Sequence, residues 1–203
     1  MSVRNLKSIY EMATNEQIQQ GLNWYPAAHA TVEYIADSNK FPKETVCQVL
    51  SALSPRNRWH QNIKDTDTVL KAVTKGMTPE DVSVNTFGHN KRKAFKIAKG
   101  TLDILRSSRK TYSFVQNILH HSDKVVTIDV WHLRAYYLKD VEFRLTDSRY
   151  NKIESDTLKL AKKLGYKGYE LQAILWVVVK DNWKVLKAQE LVPGMRKSKQ
   201  VIN

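Results

Sequence analysis

The 203 residues carry 33 Lys and Arg against 20 Asp and Glu, a surplus of +13 at pH 7, so a polyanion is the expected partner and nucleic acid stands first. A hydrophobic content of 42% at this length can build a buried core, which excludes a disordered chain and predicts one compact domain or two small lobes sharing it. No apolar run approaches the roughly 20 residues of a transmembrane helix, and the start MSVRNLKSIYEMATNEQ is too polar for a signal peptide.

A membrane partner and secretion are therefore not expected; a cytoplasmic protein associated with nucleoid or phage DNA is. Cys47, the single cysteine, excludes an internal disulfide and a cysteine-built zinc or iron–sulfur site, and its neighbours Val46, Val49 and Leu50 mark it as a core residue. None of the six histidines forms an HxxxH or HExxH pair, so no metal and no cofactor is expected.

Apolar residues recur at helical spacing almost throughout and alternating strand patterns are scarce, which predicts an all-α fold. In chain order, helices are expected at about 3–19, 26–38 and 43–53, the last entered through Phe41-Pro42. Ser54-Pro55-Arg56-Asn57 breaks the pattern. A helix over about 58–75 ends at Gly76, a short helical turn follows Pro79, and a long basic helix is expected at about 90–106. Helices at about 110–120 and 129–139 flank an extended Val125–Ile128, and segments at about 148–164 and 168–179 precede a short last helix containing Trp183. Residues 193–203, with Arg196, Lys197 and Lys199 and no acid, read as a mobile basic tail.

The charge is concentrated. Between His89 and Lys110 stand eight basic residues, among them Lys91, Arg92 and Lys93, against the single acid Asp103. Part of this is a solvated helix face. Ser107-Ser108-Arg109-Lys110, at a predicted helix start, places hydroxyls and cations beside free N–H groups and reads as a phosphate seat. A second candidate surface is Ser54, Arg56, Asn57, Arg58 and Trp59, a polar loop with two arginines, an amide and an indole. Such a loop suits phosphate contact with stacking or insertion at a base; equally, Trp59 packs inward while the arginines are solvated.

Val125-Val126-Thr127-Ile128-Asp129 leads into Val130-Trp131-His132-Leu133-Arg134. Asp129 reads first as a helix N-cap. The segment also resembles the VDxHxxR signature of the helix-hairpin-helix DNA glycosylases, in which the aspartate both caps a helix and faces the flipped nucleotide. Leu50 through Asn62 resembles that family's helix, DNA-facing loop and asparagine-bearing helix, and Phe87-Gly88-His89-Asn90-Lys91-Arg92-Lys93-Ala94 resembles its step into a following helix. Arg109-Lys110-Thr111 with Asn117 is similar to the segment that carries the lysine nucleophile of bifunctional members, and Lys110 precedes Asp129 by 19 positions. The resemblance covers about residues 44–137. It departs at the hairpin, where Ile104-Leu105-Arg106-Ser107-Ser108-Arg109 has none of the usual glycines.

The resemblance implies a two-lobed helical fold, lobes roughly 40–125 and 1–39 plus 126–192, with an active-site cleft between them. It further implies a monomer acting on double-stranded DNA with a flipped base, RNA remaining open as substrate. Asp129 would stabilise positive charge on the sugar, and Lys110 would attack C1′ as a nucleophile or, alternatively, contact phosphate. Trp131 and His132 would line the base pocket or pack behind Asp129, and Arg134 would contact DNA. The missing glycines keep two further readings open: a base-modifying transferase on the same scaffold, and a nucleic-acid binder without catalysis.

Overall fold

The computed structural model describes residues 2–141 and 145–190, all-α and without a strand among them. The basic end at 193–203 lies outside the described residues. No described helix is long and apolar enough to cross a membrane. The chain divides into two compact units, one of residues 1–22 and 128–203 and one of residues 23–127. The division falls inside a helix, whereas the family resemblance implies a lobe edge near residue 40.

That helix accounts for the main difference in boundaries. Helix α1 spans Ser2–Glu11 and α2 runs unbroken over Asn15–Asn39, so the break expected at 20–25 lies instead at 12–14. Thr14 and Gln17 form a reciprocal cap: Gln17 N–H donates to Thr14 Oγ1 at 3.2 Å and Thr14 N–H donates to Gln17 Oε1 at 3.1 Å. Gly21 and Pro26, which look like breakers, sit within α2.

In the unit of residues 23–127, α3 (Lys43–Leu53) is the central element and packs against α4 (Trp59–Thr74), α5 (Gly88–Ala98) and α6 (Arg109–His120). Every residue of α3 from Val46 to Leu53 is buried, the polar Gln48 and Ser51 included. Cys47 lies in this core as expected, and burial pushes its thiol well above the ordinary range. A 3-10 turn at Pro79–Asp81 follows α4. Helix α5 is shorter than the expected 90–106: Gly100 takes φ 69° and Thr101 N–H donates to Lys96 O at 2.9 Å, a left-handed stop that only glycine adopts without cost.

Two buried amides fix the connections. Gln48 of α3 accepts from Ile104 N–H at 2.7 Å and donates to Asp103 Oδ1 at 3.2 Å, holding the segment between α5 and α6 against the core. Asn117 of α6 donates to Ser122 O and Val125 O and accepts from Thr127 Oγ1, which folds residues 122–127 back on the helix.

In the other unit, α9 (Gly168–Glu190) packs against α1, α7 (Val130–Tyr137) and α8 (Asp147–Leu164). The expected short last helix is part of α9, which runs through Trp183 without a break. A Cβ on Gly21 would stand 2.6 Å from the Ile174 Cα, so glycine permits the close approach of α2 to α9.

Candidate functional site

The loop before α4 is a β-turn in which Asn57 N–H donates to Ser54 O at 3.1 Å and Arg56 takes φ 59°. Pro55 suits the second position of such a turn, but the third favours glycine or asparagine, and a left-handed residue with a Cβ costs about 1–2 kcal/mol. Asp65, buried in α4, fastens the loop: Oδ2 accepts from Asn57 Nδ2 at 2.8 Å and from Asn85 N–H at 3.0 Å, and Oδ1 accepts from Gln61 Nε2 at 2.8 Å. Asn62 is an internal anchor, donating to Leu50 O at 3.0 Å.

Of the five candidate residues in this loop, two face outward. Ser54 donates its hydroxyl to Ser51 O and Asn57 is committed to Asp65, while Arg56 and Arg58 are exposed. Trp59 lies 5.2 Å from Trp24, which lies 5.9 Å from Phe114, so the indole joins an aromatic cluster within the unit. An open cleft of about 620 Å³ lies beside the start of α4, with Arg58 and His60 at its exposed rim and Asp65, Gln61 and Asn85 along it.

At the start of α5, Phe87 is 46% exposed. The Arg56 guanidinium carbon stands 5.6 Å from its ring centroid, and the His89 ring lies within 10° of parallel to it at 5.7 Å. Neither Phe87 nor the Arg56–Phe87 contact follows from the sequence pattern. On α5 itself Lys91 donates to Val82 O at 3.0 Å, Lys93 is half-buried and Arg92 is exposed.

At the start of α6, Leu105 is 64% exposed, Arg106 and Ser107 are exposed, and Ser108 occupies the N-cap position without capping. Arg109 and Lys110 are half-buried in the first turn, and the Lys110 ammonium makes no hydrogen bond or ion pair among the described residues. One turn further on the same helix face stands Phe114 of the aromatic cluster.

A pattern joins these three places. Helices α4, α5 and α6 begin at Arg58, Phe87 and Ser108 with no side-chain cap and no acid in the first turn. No N-cap side chain occupies the positive ends of their dipoles, which stand beside Arg56, Arg58, Arg92, Arg106, Arg109 and Lys110. This arrangement seats anions.

Asp129 belongs to the other unit. It is the N-cap of α7, with Oδ1 accepting from His132 N–H at 2.8 Å, and the preceding Ile128 N–H donates to the Tyr150 hydroxyl at 3.2 Å. His132 is buried and its Nε2 lies 2.9 Å from Thr157 Oγ1. The Thr157 hydroxyl already donates to Ile153 O, so Nε2 carries a proton, and Nδ1 is buried with no hydrogen-bond partner among the described residues. Burial pushes the imidazole down to about 4. His132 thus packs within its unit rather than presenting an edge to a base.

Trp131 and Arg134 are paired with each other. The Arg134 guanidinium lies 4.4 Å from the Trp131 ring and 4.9 Å from that of Trp183, and its Nε donates to Asp140 Oδ1 at 2.9 Å. Lys187 donates to the other oxygen of Asp140 at 2.7 Å, and these two cations hold the Asp140 carboxyl below its ordinary range. Arg134 is therefore engaged inside its own unit.

No curated protein and no solved structure matches the chain. Residues 1–183 match the family described as a family of unknown function, DUF7178, and the chain belongs to that family.

Proposed function

We propose that the protein binds nucleic acid through residues 23–127 and acts on it as a DNA glycosylase-like enzyme, with Asp129 as the carboxylate beside which the N-glycosidic bond of an extruded base is cleaved. The observation that carries this reading is the set of three uncapped, acid-free and base-flanked helix starts at α4, α5 and α6. Backbone N–H groups at helix starts bind phosphate oxygens without reading sequence, and the nearby arginines and lysines add the salt-dependent share of affinity.

As the C1′–N bond breaks, its electron pair leaves with the base and positive charge grows on the sugar. A fixed carboxylate stabilises that charge, and Asp129 is held in one orientation by His132 N–H. In the bifunctional form of the reaction the neutral Lys110 amine forms the new bond at C1′ and the departing base takes up a proton. The C1′–O4′ bond then opens, with O4′ taking up a proton, to give a Schiff base, from which loss of a C2′ proton expels the 3′ phosphate. The unpaired Lys110 side chain, one turn from Phe114, supports that assignment.

The test is incubation with nucleic acids carrying modified or damaged bases, followed by mass spectrometry of released bases and retained strands. Free base is the expected result; a mass gain on the strand indicates a base-modifying transferase, and neither product with binding intact indicates a non-catalytic binder. Asp129→Asn keeps a capping side chain and removes the charge, so it should lower base release by about 100-fold or more while leaving binding and fold unchanged. Borohydride trapping with Lys110→Ala as control tests the lysine separately.

A further inference from the structure

The surface around Arg56, Phe87 and Leu105 is more than a phosphate seat. Each of the three uncapped and acid-free helix starts of the 23–127 unit carries an apolar side chain at or just before it: Trp59 at α4, Phe87 at α5 and Leu105 at α6. Trp59 is taken up by the Trp24 cluster, but Phe87 and Leu105 are exposed, and no acid occupies the first turn of the helix that follows either. A smooth duplex offers phosphates and groove edges; it buries its base faces. Exposed planar and apolar groups beside cations match a strand whose bases are unstacked and turned outward.

The Arg56 turn points the same way. Glycine or asparagine would fill its left-handed position with less strain, yet an arginine stands there, with its guanidinium over the Phe87 ring. The guanidinium, the phenyl ring and the near-parallel His89 imidazole form an exposed group of planar side chains at a helix start with free N–H donors. We propose that this surface takes an unpaired strand of nucleic acid, with a base stacked on Phe87, Arg56 bridging ring and phosphate, and the adjacent phosphate on the α5 start. The inference rests on the nucleic-acid reading given above and narrows it to single-stranded or locally opened substrate, whether of DNA or of RNA.

The experiment uses the full chain and fluorescence anisotropy at one ionic strength, with a labelled oligothymidylate of about 12 nucleotides, the matching oligouridylate and a duplex of the same length. The expected result is at least about tenfold tighter binding of a single strand than of duplex. The better bound of the two strands assigns DNA or RNA. Phe87→Ala should weaken strand binding about tenfold and leave duplex binding nearly unchanged. Arg56→Gly, which places the favoured residue in the turn, should keep or raise the thermal midpoint while weakening strand binding about threefold. Duplex bound as tightly as the strand, or a Phe87→Ala variant with undiminished strand affinity, overturns the single-strand proposal and leaves the phosphate-binding reading standing. Failure to bind any of the three overturns both.

Discussion

The two compact units begin their helices in opposite ways. In the unit of residues 1–22 and 128–203, α2 has the Thr14–Gln17 cap, α7 has Asp129, α8 has Thr146, and Glu170 accepts from Lys167 N–H at the start of α9. In the unit of residues 23–127, α3, α4, α5 and α6 start at Pro42, Arg58, Phe87 and Ser108, none of them capping with a side chain. A cap contributes about 1 kcal/mol, so the second unit forgoes stability that common substitutions would supply. One unit caps these helices with its own side chains, and the other leaves three acid-free helix starts uncapped beside Arg56, Arg58, Arg92, Arg106, Arg109 and Lys110. On the proposed reading, helix-end stability belongs to one unit and binding to the other, which gives each a distinct way to fail.

The largest expected effect tests the self-contained unit. His132 is the single fully buried histidine among the described residues, and burial holds it down to about 4 against about 6.5 in an unfolded chain. Below about pH 6.5 the unfolded chain takes up a proton that the folded one refuses. The stability that depends on neutral His132 is therefore complete above about pH 6.5 and is lost as pH falls towards about 4, by about 3 kcal/mol in all. Hydrogen exchange at pH 7 and pH 4.5 should show α7, α8 and α9 losing protection while α3 to α6 keep theirs. Equal losses in both units would remove the contrast, and His132→Gln should flatten the dependence.

How legible this contrast is depends on the kind of signal. Helix type follows from periodicity, because a largely apolar run reports its own burial, as Val46–Leu53 does. Asp129 was readable as a cap because capping is local in sequence, and so was the Thr14–Gln17 pair, whose signal the nearby Gly21 and Pro26 obscured. Gly21 was unreadable for a different reason: its meaning is the Ile174 backbone, 153 positions away. The partners of Arg134, expected as a DNA contact, were unreadable for the same reason, since a guanidinium held by two indoles and Asp140 looks in sequence like a free cation. Phe87 gained its significance only from Arg56, 31 positions earlier.

Gly21→Ala is accordingly expected to destabilise the protein by about 2 kcal/mol, because the new methyl meets Ile174 backbone rather than a flexible side-chain end. Denaturant titration would measure the change. The loss should fall on the unit of residues 1–22 and 128–203 and leave oligonucleotide affinity unchanged when measured below the transition. A matching loss of affinity would mean that binding does not belong to residues 23–127 alone.

The smallest effect is also the sharpest probe of the open helix starts. Arg58 (φ −76°, ψ 145°) and Phe87 (φ −65°, ψ 144°) already have the extended backbone that a capping residue needs, close to that of Thr146 at φ −80° and ψ 160°. Phe87→Ser and Arg58→Ser should therefore each cap a helix and raise stability by about 1 kcal/mol, seen as a higher thermal midpoint. Both should weaken nucleic-acid binding, since each removes a contacting side chain and turns an N–H group inward. Phe87→Ala separates the two losses: it removes the ring but adds no cap, so any further weakening in Phe87→Ser measures the helix-start N–H groups themselves. Arg58→Ser and Phe87→Ser variants that are stabilised yet bind as tightly as the parent chain would show that the missing caps serve no ligand.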